Sequence, residues 1–161
     1  MVRRVTHQSD STVQQEAEAL IRQKVADYIG KQLYPATVRL DSGAPVQVDG
    51  VAADESVFVE IFAHQGSLKG GQRHKISTDA LKLITLGRSR PQAQLVLAFG
   101  DAEAAAFVTQ GTWMSEALAS WRIKVLVIEL DTAMSDGIRA AQARQVMVNP
   151  NAEPPAGASA G

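Results

Sequence analysis

The sequence predicts a single α/β domain built on a mixed central β-sheet with helices on both faces. Its 161 residues, 45% apolar and 20% charged, have the length and composition of one globular domain. Two nearly continuous apolar runs, 94–99 and 123–130, are typical of strands buried on both faces. Three earlier strand patterns are separated only by short turns, which favours an antiparallel meander.

The first half of the chain supplies one helix and the meander. Residues 1–10 are polar and predict a flexible tail, and Ser11 or Asp10 caps a helix that ends at Gly30. The strands follow at 37–40, 45–52 and 57–63, and the last of these is the richest in β-branched and aromatic residues.

The second half alternates helices and strands. A glycine-rich connection at 66–71 precedes a helix at 72–86, which Gly87 ends. After the strand at 94–99, Asp101 caps a helix over 102–120 with an interruption at Gly111. The remaining elements are a strand at 123–130 and a helix from Asp131 or Thr132 to about Val146. The order is α-β-β-β-α-β-α-β-α, and its β-α-β units predict parallel, right-handed connections.

The composition also limits what the chain does and where it works. Proline, glycine and alanine dominate 149–161, which predicts a disordered tail and leaves 11–148 as the domain. The absence of cysteine excludes disulfides, Cys-ligated zinc and thiol catalysis. The sequence lacks an apolar run of about 18 residues and an apolar signal segment, so we predict a cytoplasmic protein with no membrane partner.

The charge is balanced overall but not along the chain. A net charge of −1 argues against a protein that coats nucleic acid. Residues 64–90, however, hold six basic side chains against one acid, Asp79. Gln72, Lys75, Asp79 and Lys82 fall at helical spacing and form one polar stripe. The segment is either a solvated helix face with a row of ion pairs or a surface for phosphates.

Two carboxylates interrupt otherwise apolar strands. Asp49 lies in VQVDGV and Glu60 in VFVEIFAH. Burying a charge is unfavourable unless it is paired or liganded, and a hairpin would bring these two side chains together. Two carboxylates and a backbone carbonyl make a hard oxygen site that suits Mg²⁺ or Mn²⁺. The alternative is that Asp49-Gly50 is only a turn and that Glu60 faces solvent.

With these elements and acids, the chain resembles the PD-(D/E)XK nuclease superfamily, whose restriction-endonuclease-like core is a helix, a three-stranded meander, a helix and a strand. The resemblance covers roughly 12–100. It matches Asp49 and Glu60 to the two motif acids, and Glu16 or Glu18 to an acid that some members carry on the first helix. It implies a nuclease that hydrolyses phosphodiester bonds with Mg²⁺ or Mn²⁺, held by Asp49, Glu60 and Glu16.

The chain departs from the motif at the lysine position, which is Phe62. Strand periodicity places Glu60, Phe62 and His64 on one face, so His64 is a candidate base. A lysine from the next helix, Lys75 or else Lys69, is the second candidate. The third alternative is an inactive nuclease-like domain that binds nucleic acid or a protein.

The expected partner is nucleic acid, DNA in preference to RNA. The residues predicted to face its backbone are Lys69, Gln72, Arg73, Lys75 and Lys82. Trp113 and Trp121 lie at helical positions, where a core or interface role is expected, and they would mark a homodimer or protein-partner surface.

Overall fold

The structure is a computed structural model and describes residues 6–148. The predictions for residues 1–5 and for the disordered tail at 149–161 lie outside the described residues. The elements, in chain order, are α1 (Thr6–Ile29), β1 (Tyr34–Arg39), β2 (Pro45–Val51), β3 (Val57–Phe62), α2 (Gly70–Ser89), β4 (Gln94–Phe99), α3 (Ala102–Thr109), α4 (Trp113–Ser120), β5 (Ile123–Val127) and α5 (Thr132–Val148).

The five strands form one mixed sheet in the order β1-β2-β3-β4-β5. β1, β2 and β3 pair antiparallel, and β3, β4 and β5 pair parallel. The predicted meander and the predicted parallel connections are therefore confirmed. β3 lies at the centre, where every one of its residues is buried.

The sheet separates two hydrophobic cores. Phe58 and Phe62 of β3 belong to the core that α2, α3 and α4 cover, whereas Val57, Val59 and Ile61 belong to the core under α1 and α5. Because side chains alternate along a strand, this division places odd and even residues of β3 on opposite faces. Glu60 therefore lies on the α2 face of the sheet.

Two helices extend beyond their predicted ends. α1 begins at Thr6 rather than Ser11, and Arg144 of α5 binds the buried Asp10 through Nη2 at 2.6 Å, which fixes this first turn. α2 runs through Gly87 to Ser89, so Gly87 does not end it. A Cβ at Gly87 would stand 2.6 Å from Leu95 Cδ1, which shows that this glycine serves helix–sheet packing instead.

The predicted interruption at Gly111 is confirmed. Gly111 has a φ of 60°, and Thr112 then caps α4 by accepting a hydrogen bond from the Ser115 amide. Trp113 and Trp121 are 71% and 57% exposed, so neither lies in the core, and the predicted interface role stays a prediction. Among residues 6–148, no helix combines the length and the apolar composition needed to cross a bilayer.

Candidate active site

The candidate site forms where β2 and β3 separate. Their backbone pairing includes Val51 with Phe58 and Gly50 with Val59. At the next position, opposite Glu60, the Asp49 side chain provides the contact between the strands. Its Oδ2 accepts a hydrogen bond from the Ile61 amide at 2.9 Å. Because β2 continues through this position to Val51, the interpretation of Asp49-Gly50 as a simple turn is wrong. The two predicted acids do lie on adjacent strands.

Helix α1 fixes the backbone of Asp49 from one face of the sheet. Arg22 Nε donates a hydrogen bond to the Asp49 carbonyl oxygen at 2.6 Å. A Cβ on the neighbouring Gly50 would stand 3.4 Å from Val59 Cβ and 3.6 Å from Arg22 Cγ. Both distances are ordinary van der Waals contacts, so Arg22 packs directly against β2 at this position.

Glu60 is the most unusual side chain of the site because it is an acid with only 1% exposure. Lys82 Nζ of α2 lies 2.8 Å from Glu60 Oε1, an ion-pair contact whose angle is not that of a regular hydrogen bond. Burial is the main cause that raises the pKa of Glu60 to about 8. The charges of Asp49 and Asp79 also raise this pKa, whereas Lys82 lowers it. The alternative that Glu60 faces solvent is wrong.

The polar stripe of α2 faces this site. Lys75 Nζ binds Asp79 Oδ2 at 2.7 Å, and Lys82 Nζ lies 4.0 Å from Asp79 Oδ1. Asp79 is buried, so the stripe is not simply a solvated row of ion pairs. Burial lowers the pKa of Lys75, but the hydrogen bond and charge of Asp79 outweigh it, and the pKa stands above its ordinary value.

Phe62, at the motif lysine position, is packed into the core. It is 3% exposed and lies between two other rings, those of His64 and Phe99, each with a centroid separation of 5.7 Å. Lys75 Nζ lies 5.6 Å from the centroid of the Phe62 ring. The ammonium group that reaches this position thus comes from α2 and not from β3.

His64 is half-buried and packs against Phe62. Burial lowers the pKa of His64. The charge of Asp101 raises this pKa, whereas the charges of Arg139 and Lys69 lower it further. Its charged neighbours therefore come from the loops after β3 and β4 and from α5. The structure does not bring His64 into contact with Asp49 or Glu60.

On α1, the acid directed towards the site is Glu18. Glu16 is exposed, whereas Glu18 is partly buried. Burial and the charge of Asp49 raise the pKa of Glu18, against a hydrogen bond from Gln14 and the charge of Lys75. Of the two acids that the resemblance allowed, the structure therefore places Glu18 rather than Glu16 beside Asp49.

The five residues predicted to face a phosphate backbone do not form one surface. Lys69 is exposed at the start of α2, and Gln72 Oε1 accepts a hydrogen bond from its amide at 2.7 Å. The Arg73 guanidinium lies 5.2 Å from the centroid of the Phe107 ring. Lys75 and Lys82 point towards Asp79 and Glu60. Only Lys69 and Gln72 face the open groove beside α5.

The donor set of the site fits a hard divalent cation. Glu60 Oε1 is buried with Lys82 Nζ 2.8 Å away, and both this burial and the charge of Asp49 disfavour ionisation of Glu60. A cation between them would relieve both effects. Within the part of the chain that the structure describes, no group of three or more His, Asp or Glu side chains is placed to hold a metal.

Comparison with known proteins adds no relative. No family model, curated protein or solved structure matches this chain. The order of the elements and the contacts between these side chains therefore carry the argument about function.

Proposed function

We propose that this chain is a Mg²⁺- or Mn²⁺-dependent nuclease with a restriction-endonuclease-like fold. The observation that carries the proposal is the buried Glu60 beside Asp49, at the point where two antiparallel strands separate. A purely structural acid would not be expected to remain in a strand where burial and a neighbouring carboxylate both disfavour its charge. The order of helix, meander, helix and strand supports the same assignment.

In this proposal, Asp49 and Glu60 hold the cation, and Glu18 lies behind them on α1. When bound, such an ion lowers the pKa of a water molecule and offsets charge that develops on the phosphate. Lys82 holds the Glu60 carboxyl through its 2.8 Å contact. Lys75, whose ammonium group lies over the Phe62 ring, takes the role of the motif lysine and orients the attacking water.

A cleavage assay tests the proposal directly. Wild type is incubated with labelled DNA and RNA, single-stranded and duplex, in Mg²⁺, Mn²⁺ or EDTA. We expect metal-dependent cleavage that Glu60→Gln and Asp49→Asn reduce to background. Lys75→Met should lower the rate by about a hundredfold or more. The matched control is Glu16→Gln, an exposed acid on the same helix as Glu18, which should cleave like wild type. Undiminished cleavage by purified Glu60→Gln protein would contradict the assignment.

Phe62 favours a second candidate, an inactive nuclease-like domain that binds nucleic acid or a protein. Its ring is packed into the core and offers no group that can position water or stabilise charge. If Lys75 does not replace the motif lysine, the carboxylates remain without a catalytic partner. Calorimetry separates the two candidates, because an Asp49-dependent Mn²⁺ isotherm is expected for the nuclease and none for the inactive domain.

A further inference from the structure

A cavity lies directly beside the candidate site. It has a volume of about 200 Å³, is lined by α1, α2, α5 and the end of β3, and opens to solvent on one side. Glu18 and Lys75 line it, and both sense the charge of Asp49. Ile61, whose amide binds the Asp49 carboxylate, forms part of its floor. A group that enters this cavity therefore stands next to the proposed metal ligands.

The lining of the cavity suits a flat heterocycle. Phe62, Ile138 and Ala141 form a buried apolar wall, and the rest of the lining includes the acids Asp10 and Glu18. The amide side chains of Gln14 and Gln145 line it from exposed positions and can serve the polar edges of a ring. An engineered cavity of about 150 Å³ accepts benzene, so a cavity of this size accommodates one aromatic ring system.

A second, more open space adjoins the cavity. It shares His64, Gln72, Gln142 and Gln145 with the cavity. Its charged lining residues are Lys69, Arg139 and Glu103. Neither of these two cations forms an ion pair with any residue that the structure describes. Gln142 fixes the wall between the two spaces, because it accepts a hydrogen bond from the Gln65 amide at 2.9 Å and donates one to the Gln65 carbonyl at 3.0 Å.

We propose that the substrate is single-stranded nucleic acid, with one nucleobase in the cavity and a neighbouring phosphate on Lys69 and Arg139. This inference rests on the proposed nuclease function and adds the class of substrate. A base in a duplex is stacked and paired, so its entry into a cavity that holds one ring system requires it to be extruded. A base in a single strand reaches the same position without the free-energy cost of unpairing, and its edges are free for the glutamine amides.

Binding in EDTA tests this inference without any need for cleavage. Fluorescence anisotropy is measured with labelled DNA and RNA strands of about twelve nucleotides, alone and as duplexes. We expect wild type to bind the single strand at least about tenfold more tightly than the duplex. A single abasic nucleotide, moved along the strand, should weaken binding by about tenfold at the position whose base enters the cavity.

Matched variants locate the contact. Ala141→Leu fills the cavity and should weaken single-strand binding by about tenfold, whereas Ala140→Leu, on the exposed face of the same helix, should not change it. Lys69→Ala should lower the slope of log affinity against log salt by about 0.7, the value for one phosphate contact on a single strand. Arg88→Ala, at the far end of α2, should leave that slope unchanged.

The possible outcomes separate this inference from the nuclease proposal. Equal affinity for both strand forms, or no binding to either, overturns the inference, as does wild-type binding insensitive to every abasic position. Should Ala141→Leu fail to fold, the abasic series on the wild-type protein decides the matter. Single-strand binding without metal-dependent cleavage supports the inference and contradicts the nuclease. Metal-dependent cleavage with a preference for duplex binding supports the nuclease and overturns the inference.

Discussion

The chemistry of the site depends first on the environment of single residues. Glu60 lies in the middle of the most buried strand, and its only cationic contact within ion-pair distance, among the described residues, is Lys82. Asp49, by contrast, remains partly exposed and binds a backbone amide. The two carboxyl groups therefore differ in environment, and a cation that bound Glu60 would have to displace its proton.

This difference predicts how stability varies with pH in EDTA. The folded protein keeps the Glu60 proton up to a pH of about 8, whereas the unfolded chain releases it near 4.5. Between these values the folded state binds more protons, so the free energy of unfolding falls as pH rises and levels off above about 8. Urea unfolding from pH 5 to 8.5 should show Glu60→Gln gaining roughly 2–5 kcal/mol over wild type by pH 8. Parallel curves for the two proteins would contradict the buried carboxyl, and Glu16→Gln should follow wild type.

At the scale of the element, α2 supplies the ammonium groups that β3 lacks. Its Lys75, Asp79 and Lys82 lie on one side of the helix, and that side faces Glu60 and Phe62. The pairs Lys75–Asp79 and Lys82–Asp79 hold the two ammonium groups in fixed relation to each other. The ammonium group beside Phe62 thus comes from a helix that packs on the same face of the sheet.

A double-mutant cycle tests whether Lys82 serves Glu60. Lys82→Met should lower the free energy of unfolding at pH 8 by about 1–3 kcal/mol, because a buried carboxyl loses its counter-charge. In a Glu60→Gln background the same substitution should cost less, with a coupling energy of at least about 1 kcal/mol. Lys31→Met removes an exposed ion pair with Asp54 and should cost no more than about 1 kcal/mol. A coupling energy near zero would show that Lys82 and Glu60 act independently.

The elements were more predictable than their contacts. Periodicity and turn residues predicted every helix and strand, because each signal is local: β4 was predicted with its observed bounds, and Gly111 divides the helix as expected. The stripe through Lys75 and Lys82 was also predicted, but spacing does not tell which side of a helix meets the sheet. For the same reason Glu18 could not be separated from Glu16, and the contact of Lys82 with Glu60 was missed.

At the scale of the whole molecule, the site forms where helices on both faces of the sheet contact the position at which β2 and β3 separate. α1 reaches Asp49 through Arg22 from one face, and α2 reaches Glu60 through Lys82 from the other. The parallel half of the sheet, β3-β4-β5, keeps β3 central and buried, while the antiparallel half leaves β2 free to separate from it. Neither half alone would place the buried Glu60 opposite a partly exposed Asp49.

A cation that binds at this gap should stabilise the entire fold, and its affinity should depend on pH. Mn²⁺ at about a hundred times its Kd adds roughly 2.7 kcal/mol, which raises the Tm by about 5–10 °C in a chain of this length. Because the ion displaces the Glu60 proton, its affinity should rise about tenfold per pH unit from pH 6 to pH 8 and then level off. Thermal unfolding with Mn²⁺ across this range measures both effects, and Asp49→Asn should abolish them. A Tm that does not change with Mn²⁺ at any pH would favour the inactive domain, since the same two carboxylates would then serve only the packing of β2 against β3.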